Sequence, residues 1–284
     1  MTGIQDSDAA ADAVRAADER LRRAAESGRP CAPVRDLLGE TDQDAAYAVQ
    51  SLGIARRLDE GRRIVGRKIG LTSPAVQTQL GVDSPDYGVL LDDMIFADRE
   101  PIDLARFLQP RAEAEVAFVL GRDLDSPTTH VADVIRATEF VLPAIEVVDS
   151  RVAGWDIRIT DTIADNASSG AVVLGTTPRR LDGFDLTALG MTLDREGRPV
   201  STGSGAACLG SPVIAVAWLA REVARRGQPL RAGEVILSGA LGPMVDATAG
   251  VYRARLDGLG EVRADFFGTA SGAASGTSTE GAAA

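Results

Sequence analysis

The chain is predicted to be an α+β protein: a mixed, strand-rich body with helices at its flanks. Three observations predict this. After residue 62, segments with strand character outnumber helical ones. They also fail to alternate regularly with helices, which argues against a doubly wound parallel sheet. The first sixty residues, by contrast, carry helical periodicity. With aromatic residues at only 4% of 284, the core has to come from Ala, Val, Leu and Ile.

Along the chain, residues 6–27 show an Ala-rich helical pattern that stops at Gly28-Arg29-Pro30. A second helix starts at Thr41 or Asp42, either of which can cap it. Ala46, Val49, Ile54 and Leu58 mark its apolar side, and Gly61 ends it. Arg63–Gly70 is expected as a strand. Ser73 and Pro74 supply the N-cap and first turn of a short helix closed by Gly81. Strands are expected around 88–96, 111–120, 142–149, 170–175 and 188–194, with a helix at 131–140. A late helix has Ser211 as cap, Pro212 at its first position and Val213, Val216, Ala217, Ala220 and Val223 on one face. Arg225 and Arg226 favour its C-terminus and Gly227 stops it. Strands at 233–239, 250–257 and 260–267 complete the body. The organisation is thus an N-terminal helical segment (1–62), a strand-rich body (63–267) and a Gly/Ala/Ser/Thr tail (268–284) expected to be disordered.

Composition excludes several functions. Thirty basic against 41 acidic side chains leave a net charge of −11, which makes nucleic acid and anionic membrane poor partners. A single histidine excludes any site needing two. His130 follows Ser-Pro-Thr-Thr and is expected in an exposed loop, away from chemistry. Cys31 and Cys208 form neither a disulfide framework nor a CxxC pair. Met1–Arg23 lacks an apolar leader core, and no apolar run approaches the length needed to cross a bilayer, so a cytoplasmic location is expected. All basic residues but one are arginine. Arginine cannot shed a proton at useful pH, so the lone Lys68 hints at a place where the ammonium itself matters.

Four constellations could carry chemistry. In Arg111-Ala-Glu-Ala-Glu115, residues i and i+2 of a strand share a side, so Glu113 and Glu115 project together. They form either a solvated polar face or a pair of oxygen ligands for a hard divalent ion. Glu146 lies alone in the apolar run Pro143–Val148, either paired with an arginine or serving as a third ligand. Asp161–Gly170 is polar and turn-prone and holds the chain's one asparagine, Asn166. Gly66–Ser73, with Lys68 between glycines, precedes Asp86-Tyr87-Gly88, and a lysine beside a carboxylate is a proton donor or acceptor. Gly203-x-Gly205 lacks dinucleotide-loop spacing. Ser238–Pro243 is a plain turn or a loop that closes over a ligand.

Taken in order, GRKIGLTSPAVQTQLGV, DYG, QPRAEAEVAFVL, LPAIEVVDSR, DTIADNASSG, ACLGSP and LSGALGPM resemble the 2-oxopent-4-enoate (2-hydroxypenta-2,4-dienoate) hydratases of the fumarylacetoacetase-like superfamily. The resemblance runs from about residue 41 to 267. It implies a mixed-β fumarylacetoacetase-like fold with flanking helices, and Mg²⁺ or Mn²⁺ held by Glu113, Glu115 and Glu146. It implies Lys68 and Asp86 as the catalytic pair, and Ser168, Leu71 and Ser238 as substrate contacts. The implied reaction, in aromatic or steroid catabolism, adds water to a 2-hydroxy-2,4-dienoate and gives a 4-hydroxy-2-oxo acid. A cation nearby is expected to lower the Lys68 pKa, with a nearby acid opposing it. The implied assembly is a homo-oligomer, pentamer or decamer, with association to a downstream aldolase or sister decarboxylase. The alternative is 4-oxalocrotonate decarboxylase of the same family, disfavoured by the acid in DYG. A C–C hydrolase suffers from the poor placing of His130, and a non-catalytic scaffold from the retention of Lys68, Asp86 and the three glutamates.

Overall fold

A computed structural model describes residues 2–73, 77 and 84–272. Its helices are α1 (Thr2–Ser27), α2 (Arg35–Leu38), α3 (Gln43–Asp59), α4 (Val131–Ala137), α5 (Ile159–Ala164) and α6 (Pro212–Arg225). Its strands are β1 (Ile64–Gly70), β2 (Asp86–Leu91), β3 (Ile95–Ala97), β4 (Pro101–Asp103), β5 (Pro110–Leu120), β6 (Thr138–Asp149), β7 (Ser169–Leu174), β8 (Gly190–Arg195), β9 (Arg198–Ser204), β10 (Val235–Leu237), β11 (Val245–Asp246), β12 (Gly250–Leu256) and β13 (Gly260–Phe267).

Two sheets form the body. The larger runs β2-β1-β10-β5-β6-β7-β3, with β11 also on β5, and the smaller runs β4-β13-β12-β8-β9. β1–β10, β3–β7 and β4–β13 pair parallel and the remaining pairs antiparallel, so both sheets are mixed, as the α+β expectation required. β5 and β6 are the spine, paired from Pro110↔Asp149 to Leu120↔Thr138. Alternation along β5 sorts its residues cleanly. Ala112, Ala114, Val116 and Phe118 enter the main core with Val141, Ile145, Leu193, Tyr252 and Val262. The opposite face carries Glu113 and Glu115, then Ala117, which joins Leu90, Leu142, Ala144, Val172 and Leu237 in a second apolar cluster.

The N-terminal helices stack beside this body. Asp18 pairs with Arg56 at 2.7 Å to join α1 to α3, and Asp42 caps α3 by accepting the Ala45 N–H at 2.9 Å. Buried Gln50 ties α3 to the catalytic body, donating to Tyr87 O at 2.9 Å and Ile163 O at 3.1 Å. Tyr47 stacks on Tyr87 with centroids 4.6 Å apart.

Several expectations are corrected. The helix expected at 131–140 ends at Ala137, because Thr138-Glu-Phe-Val141 is better suited to the strand it joins. The strand expected at 88–96 begins at Asp86 and is broken by a turn at Asp92–Met94. On α3 the buried side chains are Ala46, Tyr47, Val49 and Gln50, while Leu58 is exposed. Ser211 occupies the N-cap of α6 without a side-chain bond. Gly205–Arg225 is long and apolar enough to cross a membrane, with mean hydropathy 1.4, yet Ala215, Val216, Leu219, Ala220 and Val223 pack it into the core. Short strands β4, β9 and β11 and helix α5 were not foreseen. The expected helix at 73–81 lies outside the described residues apart from Ser73 and Gln77. Of the 268–284 tail, the described part turns back on the body, where the Ser271 N–H donates to Phe107 O at 2.9 Å.

Candidate active site

The carboxylates come together through register. Glu113 lies directly opposite Glu146 across β5 and β6, and Glu115 is two residues further along the same face. Their ligand oxygens all lie within 4.8 Å of one another. Glu115 and Glu146 are buried and Glu113 half-buried. One oxygen of Glu115 accepts the Gly239 N–H at 2.8 Å. Its other oxygen and both oxygens of Glu146 lack a hydrogen-bond partner. Three buried, unpartnered carboxylate oxygens from Glu115 and Glu146, converging with the Glu113 carboxylate, are costly unless a cation satisfies them. An all-oxygen donor set of this kind fits a hard divalent ion.

Burial raises Glu113 and Glu115, helped by repulsion from the neighbouring glutamates, with Glu113 pushed up to about 7 and Glu115 well above its ordinary range. For Glu146 burial also wins, against the opposing pull of Lys68.

Lys68 comes from β1. Its Nζ donates to Ala167 O at 3.0 Å and stands 3.3 Å from Glu146 Oε1, an ion pair too poorly aimed to count as a hydrogen bond. Burial presses this ammonium down, but Glu146, Asp86, Glu113 and Glu115 outweigh it and the net direction is up. Asp86 opens β2, opposite Gly70 of β1. Its Oδ2 accepts from Thr162 Oγ1 at 2.9 Å and its Oδ1 has no partner. Burial raises the Asp86 carboxyl against Lys68 and Thr162. Glycine is required at position 70, since a Cβ there would meet Asp86 Oδ1 at 2.1 Å.

The Asn166–Ser168 loop closes the site. All three residues have left-handed φ, at 55°, 50° and 52°. Asn166 holds the loop to β2, accepting from Val89 N at 2.7 Å and donating to Val89 O at 2.9 Å. Asp165, raised to about 6 by burial against the opposing charge of Arg151, pairs with Arg151 and accepts from Ser168 Oγ at 3.2 Å. Asp161 is a clamp for the N-terminal segment, accepting from the N–H groups of Val34 and Arg35 and from the Arg35 guanidinium.

A cavity of about 710 Å³ opens over these groups. Of the expected site residues, Lys68, Leu71, Asp86, Glu113 and Ser168 line it, with Glu115 and Glu146 beside Glu113. Leu71 is there in a left-handed conformation, φ 57°. Ser238 is not brought to the cavity: its side chain is fully buried, 3.9 Å from Cys208 Sγ, and the wall is made by Ala240–Met244 instead. Ser169 turns away and donates to Asn166 O. His130 is exposed beside Asp133, as expected. Sequence reasoning missed Thr162, the Ala167 carbonyl and Trp155. Thr162 lies in the polar run Asp161–Gly170, but a backbone oxygen and a distant indole leave no residue-type signal.

The profile of the family described as Fumarylacetoacetate (FAA) hydrolase C-terminal matches residues 64–266. The chain belongs to this family. Among curated relatives, the chain is 60% identical over 255 residues to a TodF product hydratase of Pseudomonas putida F1, covering 89% of this chain and 95% of the relative. It is 55% identical to a 2-keto-4-pentenoate hydratase of Paraburkholderia xenovorans, covering 88% and 93%. It is 42% identical to a 2-hydroxyhexa-2,4-dienoate hydratase of Comamonas testosteroni, covering 87% and 95%. Among solved structures, 4-oxalocrotonate decarboxylase from Pseudomonas putida G7, complexed with magnesium and adipate, superposes with TM-score 0.84 at 36% identity. That match covers 89% of this chain and 97% of the other. These matches agree with the family and fold that the motifs imply.

Proposed function

We propose that the chain is a divalent-metal-dependent hydro-lyase of aromatic or steroid ring catabolism, which hydrates a 2-hydroxy-2,4-dienoate to a 4-hydroxy-2-oxo acid. The observation that carries the reading is the convergence of three carboxylates, Lys68 and Asp86 on one cavity, in a chain whose relatives at 42–60% identity are hydratases.

Glu113, Glu115 and Glu146 would hold the ion, Mg²⁺ or Mn²⁺. When bound, it supplies Lewis-acid stabilisation of negative charge on the substrate's C1 carboxylate and C2 oxygen. In the reaction a proton is added at C5 and one leaves the C2 hydroxyl, and water then adds its oxygen at C4 and a proton at C3. Lys68, 3.3 Å from Glu146 and anchored on Ala167 O, sets a hydrogen-bond donor and a positive charge beside the developing oxyanion. Asp86 lines the cavity and its buried Oδ1 has no hydrogen-bond partner, and we assign this carboxylate the proton taken from the attacking water. Thr162 fixes the other Asp86 oxygen. Ser168, on the rigid left-handed loop, offers its oxygen to the substrate.

The homo-oligomer, pentamer or decamer, belongs to the same reading. The second apolar cluster of the larger sheet supports it, fringed by half-buried Val65, Val119, Phe140, Leu174 and Val235. Sedimentation velocity at micromolar concentration tests it, and a single monomer boundary would remove it. Incubation with 2-hydroxypenta-2,4-dienoate and with 4-oxalocrotonate tests the reaction. The hydratase reading expects loss of the dienoate absorbance with formation of 4-hydroxy-2-oxopentanoate, and no CO₂ from either compound. Release of CO₂ from 4-oxalocrotonate, with the dienoate unchanged, would assign the decarboxylase instead.

A further inference from the structure

The cavity extends beyond the carboxylates to a far wall built from the next row of side chains. Strand alternation ranks the site face by distance from the carboxylates. One row holds Glu113 opposite Glu146, and the next row holds Arg111 opposite Val148. The two rows are about 7 Å apart along the strands. Val148 lines the cavity, and so does Trp155, the side chain shared with a second cavity of about 500 Å³. Trp155 therefore stands as a partition between the two.

The partition is fixed on two sides. The Arg111 guanidinium carbon sits 4.6 Å from the indole centroid, and Trp155 Nε1 donates to Gln109 O at 3.1 Å. Gly154 and Trp155 are both left-handed, with φ 64° and 56°, so the backbone turn that delivers the ring is itself specific. Ile157, Leu241 and Met244 continue the wall on the substrate side.

Charge is confined to the carboxylate end. Among the described residues lining the cavity, Lys68 is the one basic side chain. Residues 74–83, between the lining residues Ser73 and Asp86, contain no Lys, Arg or His. Arg111 does not line the cavity; it is stacked on Trp155 and paired with Asp246 at 3.2 Å. A second carboxylate at the far end of a substrate would therefore lose its hydration without gaining a cation, which is costly. The volume is also generous. About 300–1,000 Å³ is typical of pockets for drug-sized ligands, so a bare five-carbon dienoate leaves much of this cavity to water.

We infer that the preferred dienoate carries an uncharged, apolar tail beyond C5, and that Trp155 sets the greatest tail length by closing the cavity against the one behind it. The inference rests on the hydratase reading for the head group of the substrate alone.

The experiment has a binding arm and a turnover arm, both on the full chain with Mg²⁺. The binding arm measures affinities of saturated 2-oxo acids of increasing alkyl length, and of a 2-oxo dicarboxylate, by calorimetry. Wild type should bind more tightly with each added carbon up to a limit and then lose affinity. The dicarboxylate should bind at least about tenfold more weakly than the monocarboxylate of equal length. Trp155→Ala should shift the limit to longer tails and raise the long-to-short affinity ratio by about tenfold or more. Trp155→Phe, which keeps an aromatic wall, should shift it less and serves if the alanine variant fails to fold. An unchanged length profile in folded Trp155 variants, or a dicarboxylate bound as tightly as the monocarboxylate, would overturn the inference. The turnover arm uses dienoates of the same tail lengths. If none is hydrated the hydratase reading fails, and the binding profile still decides the tail.

Discussion

Lys68 shows how one residue type narrows a mechanism. It is the one lysine of the chain, buried, within 3.3 Å of Glu146 and bonded to Ala167 O. Its function needs a compact ammonium between two acids. Lys68→Arg keeps the charge but replaces a compact point donor by a wide planar fork that cannot occupy the same buried position. That variant should lose about 100-fold or more in kcat, the usual scale for a displaced oxyanion donor. Its Mg²⁺ affinity by calorimetry should change far less. Unchanged kcat would remove Lys68 from the chemistry. At this scale the sequence was unusually readable. A solitary lysine among 29 arginines and an i, i+2 glutamate pair are visible signals, and the structure unites them. Ser238 misled because a serine in a loop motif shows nothing of which way its side chain turns. Thr162 and the Ala167 carbonyl act through contacts between segments far apart in sequence, and Trp155 through a wall that only tertiary packing builds.

At the level of elements, two devices position the site. The first is the β5–β6 register, which sets Glu113 against Glu146. The second is the Asn166–Ser168 loop, whose three successive left-handed residues are individually disfavoured and persist because the surroundings hold them. Asn166 ties the loop to β2 through its paired bonds to Val89. Asn166→Ala should therefore destabilise the protein by about 1–3 kcal/mol, the cost of leaving buried backbone groups unpaired. It should also lower turnover, since Ala167 O would no longer meet Lys68. Parallel thermal melts and rate assays check this, and a variant with wild-type melting and wild-type rate would contradict it. The strands were legible because β5 and β6 alternate or run apolar in the usual way. Helix α5 was not, because Asp161, Thr162 and Asp165 make it look like a turn. Each of those polar residues has a tertiary partner that the sequence does not reveal.

For the whole molecule, the acidic cluster links metal, pH and stability. Glu113 is raised from 4.5 to about 7 and Asp165 from 3.8 to about 6. A carboxyl raised on folding binds more protons in the native state, so metal-free stability falls as pH climbs through these windows. Metal binding needs ionised carboxylates and so strengthens over the same range. The rise in Tm on adding Mg²⁺ should thus be larger at pH 8 than at pH 5.5, and an equal rise at both would contradict the linkage. The pairing of two mixed sheets was not readable from periodicity, because β1–β10 joins segments about 170 residues apart; the motif resemblance supplied the architecture. The central claim, that three glutamates make this chain a metal-dependent hydratase, is tested most directly by one absorbance measurement on 2-hydroxypenta-2,4-dienoate. Chelated enzyme should leave the dienoate absorbance unchanged and Mg²⁺ should restore its loss, while Glu146→Gln should stay inactive with or without added metal. Undiminished turnover in chelator, or full activity in Glu146→Gln, would contradict the account.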